Sequence, residues 1–171
     1  LRRRPRSRRA GGTPAGAGNI AGCLSELGRH KEALDMGRKI YDGKRALSKW
    51  LPPESIFITA FGLANQMCGL GLFDECKEFA RERIPEAERA LGSEHGLTLC
   101  FRGSHAVALL NSSDATLDDM RLAVKTMEDC AQTLRRVLGK NNPQTLESEN
   151  MLAKARMKLA AEEARTGLAA L

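Results

Sequence analysis

Hydrophobic residues recur along the chain at the spacing of one face of an α-helix, in segments separated by short polar turns. Between residues 54 and 70, Phe57, Ala60, Ala64 and Met67 are three or four positions apart, so they fall on one side of a helix. Each segment is long enough for several helical turns. The pattern predicts seven helices, at about residues 13–27, 31–47, 54–70, 74–91, 97–110, 117–138 and 143–165.

Turn-forming residues mark the junctions between these helices. The stretches 27–33 (L-G-R-H-K-E-A) and 70–76 (L-G-L-F-D-E-C) each end one helix at a glycine and begin another within a few residues. Ser113 or Asp114 is expected to cap the helix that follows the polar turn after residue 110. Pro85 lies inside a helical segment and removes one backbone donor there, so we expect a kink or a short break.

Small residues recur at a fixed pitch, which indicates a repeat. They are, in order, Ala21 and Ala33, Ala64 and Cys76, Ala106 and Ala123, and finally Ala153. The first two pairs have a spacing of 12, and the third has a spacing of 17 because the turn at 111–119 is longer. Small side chains let paired helices approach closely. The unit is about 42 residues long, giving about three and a half units, the last of which is one helix without a partner.

The junctions repeat in sequence as well. Residues 90–99 (A-L-G-S-E-H-G-L-T-L) align with residues 137–146 (V-L-G-K-N-N-P-Q-T-L), and N-I-A at 19–21 precedes G-x-x-x-E-A at 28–33. These motifs resemble the tetratricopeptide repeats (TPR) of the kinesin light chain type. The resemblance implies an all-α fold of antiparallel helix pairs, stacked as a right-handed superhelix over about residues 13–165.

The resemblance also implies a function, because the first helix of each pair lines a concave groove that binds a peptide or helix of a partner. Asparagine amides there would bond a peptide backbone, and lysines would pair with an acidic residue or a terminal carboxylate. The alternative for Lys154 and Lys158 is an ordinary solvated helix face. We expect a non-catalytic protein-binding scaffold. The groove candidates are Asn65, Cys68, Gly103, Val107, Leu110, Asn111, Asn150, Lys154, Met157 and Lys158.

The positive charge of the chain is concentrated at one end. The formal net charge is +6, and six arginines within residues 1–12 account for all of it. The remaining residues therefore have no overall bias toward nucleic acid or a membrane surface. We expect residues 1–12 to be disordered, either as an unstructured leader or as a segment for nuclear localisation or RNA contact. Nucleic-acid binding through this tail is the alternative function.

Cysteines, histidines and catalytic motifs do not favour an enzyme. The five cysteines are odd in number and lack C-x-x-C pairing, which is typical of reduced, buried thiols in a cytoplasmic protein. The spacing of Cys68, Cys76, Cys100 and His105 lacks the paired ligands of a zinc site. Nucleotide-binding and hydrolase motifs are missing from the sequence, and no run reaches the roughly 18 apolar residues of a membrane span. We expect no cofactor and no membrane partner.

The two ends of the sequence suggest a fragment. Residue 1 is leucine rather than methionine, and the last predicted helix has no partner, so a third hypothesis is a TPR fragment of a larger signalling protein. Residues 166–171 are expected to fray. Leu152, Ala155 and Leu159 would form an exposed apolar stripe on the unpaired helix. We expect another chain, a missing segment or weak self-association to cover it.

Overall fold

Six α-helices make up the described part of the protein. A computed structural model describes residue 24 and residues 27–169, with side chains to residue 167. The Arg-rich tail, the expected disorder over 1–12, most of the first predicted helix and residues 170–171 lie outside the described residues. The helices are α1 (His30–Ala46), α2 (Pro53–Gly69), α3 (Phe73–Leu91), α4 (Gly96–Asn111), α5 (Leu117–Leu138) and α6 (Pro143–Ala169).

The helices pack as two layers of alternating members. Each helix contacts the next one along the chain, and α4 also contacts both α2 and α6. Helices α2, α4 and α6 therefore form one layer, while α1, α3 and α5 lie behind them. No strand occurs within residues 27–169. The predicted all-α fold of successive antiparallel helix pairs is confirmed.

The small residues at the predicted spacing do lie where paired helices touch. Ala64 and Cys76 are both 0% exposed, and the Cys76 thiol donates a hydrogen bond to the Ala64 carbonyl at 3.5 Å. Ala106 and Ala123 are also buried, within one core cluster. Side chains this small leave room for close helix contact. The spacing therefore predicted the second and third helix pairs correctly, whereas Ala21 of the first pair lies outside the described residues.

The repeated junctions adopt the same structure. Thr98 and Thr145, which align in the sequence, are both 0% exposed. The Thr98 hydroxyl donates to the Gly92 carbonyl at 2.8 Å, and the His95 ring accepts from the backbone N–H of Leu97 at 3.2 Å. His95 is thus the N-cap of α4.

The N-cap of α5 is Thr116 rather than Ser113 or Asp114, so that prediction was wrong. The Thr116 hydroxyl accepts from the backbone N–H of Asp119 at 3.1 Å, and the Asp119 carboxylate accepts from the N–H of Thr116 at 3.0 Å. This reciprocal pair is a capping box. Ser113 instead donates to Asp74 at 3.0 Å, and Asp114 accepts from Lys77 at 3.0 Å. Their contacts with α3 hold both residues in the turn, ahead of the helix.

Replacing Thr116 with alanine is expected to lower the free energy of unfolding by about 1 kcal/mol, because the cap of α5 is lost. The Thr116 hydroxyl and N–H hold the pKa of Asp119 below its usual value. The part of the stabilisation that depends on the ionised Asp119 carboxylate is therefore present above the unfolded pKa of aspartate and is lost as the pH falls through the lower folded pKa. Urea titrations at pH 7 and pH 3 measure both effects. Thr133→Ala is the control, because it removes a hydroxyl of α5 that bonds only within its own helix, to the Asp129 carbonyl; an equal loss there would contradict the capping role.

Pro85 does not break its helix, contrary to one of the two outcomes that we expected. Helix α3 runs without interruption from Phe73 to Leu91. Pro85 and Arg81 are both exposed, so water can reach the carbonyl that loses its partner. Ala80 and Ala87 on the other side of α3 are fully buried. The packing of this buried side of α3 offsets the loss of the backbone hydrogen bond that Pro85 cannot donate.

The prediction that α6 exposes an apolar stripe of Leu152, Ala155 and Leu159 was wrong. Leu152 and Ala155 are buried against α4 and α5, and Leu159 packs beside them. Among the described side chains of α6, the large hydrophobic ones left in solvent are Leu146, at 53% exposure, and Met157, at 73%. Leu146 aligns with the buried Leu99 of the preceding unit, because both follow the junction threonine. Helix α6 thus carries apolar residues on two faces, and the face that is buried is the one that packs against α5.

Candidate functional site

A cavity opens among the helices of the front layer. Its volume is about 580 Å³, within the usual range for ligand pockets. Residues of α2, α4 and α6 form its walls, and residues of α5 line its base. We call it the central cavity. It is lined by Phe61, Asn65, Cys68, Leu99, Cys100, Gly103, Ser104, Val107, Met127, Cys130, Leu134, Pro143, Gln144, Glu147, Ser148 and Met151.

Gly103 lies on the cavity wall and leaves space there. This residue lies in the middle of α4 and is buried, facing Met151 of α6. A Cβ atom at residue 103 would be 4.0 Å from the Met151 Cε atom, which is ordinary van der Waals contact. The position therefore accepts a side chain without a clash, and its glycine leaves space unfilled. Met127 and Leu134 of α5, 2% and 5% exposed, form the base of the cavity.

The lining is mainly apolar with a few polar groups near the opening. Glu147 is the one charged residue among the lining residues, and it is exposed, as are Asn65 and Gln144. Ser104 and Ser148 are buried deeper. A site of this composition takes an apolar group into its interior and fixes its orientation with amides and hydroxyls at the edge.

Four groove positions chosen from the sequence lie together on the cavity wall. Asn65 and Cys68 come from α2, and Gly103 and Val107 come from α4. Asn65 is exposed, while Cys68 and Val107 are half-buried. One turn of α2 therefore lies beside one turn of α4 in the structure. Each pair of candidates is three or four positions apart, so it lies on one face of its helix.

Three further candidates are engaged inside the protein. Leu110 is 6% exposed and packs in the core beneath the front layer. The Asn111 side-chain amide donates to the Val107 carbonyl at 2.7 Å, and its oxygen accepts from Lys158 Nζ at 2.7 Å. Asn111 and Lys158 therefore connect α4 to α6. Their polar groups already have partners, and any ligand would compete with these bonds.

The remaining candidates are exposed on α6 outside the central cavity. Asn150, Lys154 and Met157 are all in solvent. The residues that α6 contributes to the cavity are instead close to its start, from residue 143 to residue 151. Lys154 follows Met151 by three positions, so it extends the same helix face beyond the cavity.

The sequence interpretation missed twelve of the sixteen residues that line the cavity. Phe61 precedes Asn65 by one turn, and Cys100 precedes Gly103 by three positions; extending each groove face by a turn would have found both. Glu147 and Met151 follow from the same rule on α6. The residues of α5 carry no such signal, because α5 lies in the back layer, outside the helices from which groove candidates were taken.

Sulfur atoms are frequent around the cavity. Cys68, Cys100 and Cys130 are among the lining residues, and the Cys68 and Cys76 Sγ atoms are 3.1 Å apart. Burial raises the pKa of Cys100, and it raises that of Cys130 to about 11. In the described part of the chain, no three or more His, Cys, Asp or Glu side chains are grouped so that they could hold a metal ion.

His105 is half-buried next to Ala106, and it does not line the cavity. Burial lowers its pKa, and the nearby positive charge of Arg81 lowers it further. The ring is therefore neutral near pH 7 and packs at the α3–α4 contact. Neither His95 nor His105 is placed to act on a group in the cavity.

The fold is similar to solved structures of TPR-like repeats. One is a substitution variant of a Podosopora anserina protein with nearly identical TPR-like repeats, assigned as a kinesin light chain. Its TM-score is 0.64 and its sequence identity is 19%, and the match covers 94% of this chain and 80% of that one. The other is described in the same terms and has a TM-score of 0.62 and 20% sequence identity; the match covers 98% of this chain and 74% of that one. This likeness establishes a TPR-like fold. No protein-family model and no curated protein matches the sequence.

Folds of this kind generally bind protein partners. None of the helices in the ranges described has the length and apolar content needed to cross a bilayer.

Proposed function

We propose that the protein is a non-catalytic scaffold that binds a peptide segment of a partner across α2, α4 and α6, with an apolar side chain of that segment in the central cavity. The observation that carries the proposal is the cavity itself, because it lies on the layer that faces the groove in TPR-like folds. Its volume of about 580 Å³ exceeds that of any single side chain.

The polar residues around the opening suit a peptide backbone. Asn65 and Gln144 are exposed on opposite walls, and each amide offers both a donor and an acceptor. Lys154 lies just beyond the cavity on α6 and would meet an acidic side chain or a terminal carboxylate at one end of the peptide. With one charged lining residue, the cavity favours an apolar anchor over an ionic one.

Filling the cavity is the sharpest test of this proposal. A peptide library displayed on phage is first selected on the wild-type protein, and the affinities of the selected peptides are then measured for Gly103→Leu. The added side chain occupies the space that an anchor residue would take, so we expect affinity to fall tenfold or more. Selected peptides should share a large apolar residue.

Gly43→Leu is the matched control, because Gly43 lies on α1, away from the cavity, and a Cβ atom there would meet nothing within 4 Å. It should leave affinity within about twofold, the spread expected for a substitution outside an interface. Circular dichroism must show both variants folded. Peptides that bind Gly103→Leu as tightly as the wild type would overturn the cavity as the binding site.

Self-association through α6 stays a prediction, and its carriers would now be Leu146 and Met157 rather than the buried Leu152. Nucleic-acid binding rested on the Arg-rich tail, which lies outside the described residues. No feature of the described helices favours it over peptide binding.

A further inference from the structure

Two thiols meet at the edge of the central cavity, where the end of α2 lies against the start of α3. The Sγ atoms of Cys68 and Cys76 are 3.1 Å apart. Cys68 is half-buried on the cavity wall, whereas Cys76 is 0% exposed and donates to the Ala64 carbonyl. One sulfur of the pair is therefore open to a small solute, and the other is sealed behind it. A covalent S–S bond is about 2.05 Å long, so closing it requires an approach of about 1 Å.

We propose that Cys68 and Cys76 form an oxidation site, at which a peroxide reacts with Cys68 and Cys76 then closes an intrachain disulfide between α2 and α3. In the first step the Cys68 thiolate attacks one oxygen of hydrogen peroxide, and the O–O bond breaks. The departing oxygen takes up the proton that Cys68 released and leaves as water. Cys68 is then a sulfenic acid.

In the second step the Cys76 sulfur attacks the Cys68 sulfur and the S–O bond breaks. The proton of Cys76 leaves with that oxygen as a second water. The two thiols together lose two electrons, and the peroxide accepts them. No further reactant is needed.

The division of roles between the two cysteines follows from their surroundings. The hydrogen-bond contact between the two sulfurs lowers the pKa of Cys68. The same contact, together with burial, raises the pKa of Cys76. Cys68 thus has both the access and the thiolate character of the residue that reacts first. Cys100 also lines the cavity, but burial raises its pKa.

Peptide mapping of the full chain after peroxide treatment tests the proposal without a ligand. Trypsin releases residues 50–77 as one peptide containing both cysteines, and residues 90–102 as a peptide containing Cys100. We expect the first peptide to lose two hydrogen atoms in mass and to become closed to alkylation. The Cys100 peptide should still be alkylated. Oxidised wild type should also unfold about 5 °C higher, because the disulfide constrains the unfolded chain.

Two variants identify the order of the steps. In Cys76→Ser, Cys68 should persist as a sulfenic acid that dimedone traps; Cys68→Ser should show no trapping at Cys76 and no rise in unfolding temperature. Full alkylation of residues 50–77 after peroxide, or a disulfide joining that peptide to residues 90–102, would overturn the proposal. A change in peptide affinity on oxidation would in addition require the proposed function, because Cys68 is part of the cavity wall. The mapping result stands independently of it.

Discussion

Replacing Phe101 with alanine is expected to lower the free energy of unfolding by about 3–5 kcal/mol, the usual cost of removing a buried aromatic ring. Phe101 is 0% exposed in the middle of α4. Its ring lies edge-on to those of Phe57 and Phe61, with centroids 6.1 and 6.2 Å away. The substitution therefore removes apolar burial and two aromatic contacts together, and it leaves a void between α2 and α4. Urea unfolding followed by circular dichroism measures the loss.

The matched control is Ile58→Ala on α2, one residue after Phe57. Ile58 is 59% exposed, so its removal should change the free energy of unfolding by less than about 0.5 kcal/mol. Phe61 lines the central cavity and rests on Phe101, so Phe101→Ala should also weaken binding of peptides selected on the wild type. Losses of similar size in the two variants would show that the Phe101 ring is not central to the core.

Most of the fold could be predicted because local periodicity decides it. The helix at 117–138 was placed at its observed bounds, since a capping region and a glycine limit an apolar pattern of clear period. The pairing of Ala64 with Cys76 followed from spacing alone. Each of these features depends on residues that are close in sequence, so a single sequence is enough to predict it.

Features that depend on packing between helices could not be obtained in this way. Helix α6 has apolar residues on two faces, and only its register against α5 decides that Leu152 is buried and Leu146 is exposed. Thr116 caps α5 because contacts with α3 hold Ser113 outside the helix. The cavity is deeper than the groove residues suggested, because residues of α5 in the back layer form its base.

Replacing Arg83 with alanine should lower the free energy of unfolding by about 2 kcal/mol, because several favourable contacts of a buried cation are lost at once. Arg83 is 8% exposed on α3. Its Nη1 donates to both oxygens of Glu86 at 3.0 Å, and its Nη2 donates to Glu82 at 2.5 Å. The guanidinium carbon is 5.3 Å from the Phe79 ring centroid and 5.8 Å from that of Tyr41 on α1. Arg83 therefore joins α1 to α3 on the back layer.

Arg81→Ala on the same helix is the matched control, because the Arg81 side chain is 68% exposed and pairs with Glu78 in solvent. Its loss should cost less than about 0.5 kcal/mol. Arg83→Lys should recover about 1 kcal/mol, since an ammonium keeps the charge but lacks the planar fork that contacts both glutamates. Salt distinguishes the two sites further. We expect 1 M sodium chloride to erase the effect at Arg81 and to leave most of that at Arg83, because a buried guanidinium and its contacts with aromatic rings are poorly screened. If salt abolished the Arg83 effect, the cation would be acting as an ordinary surface charge.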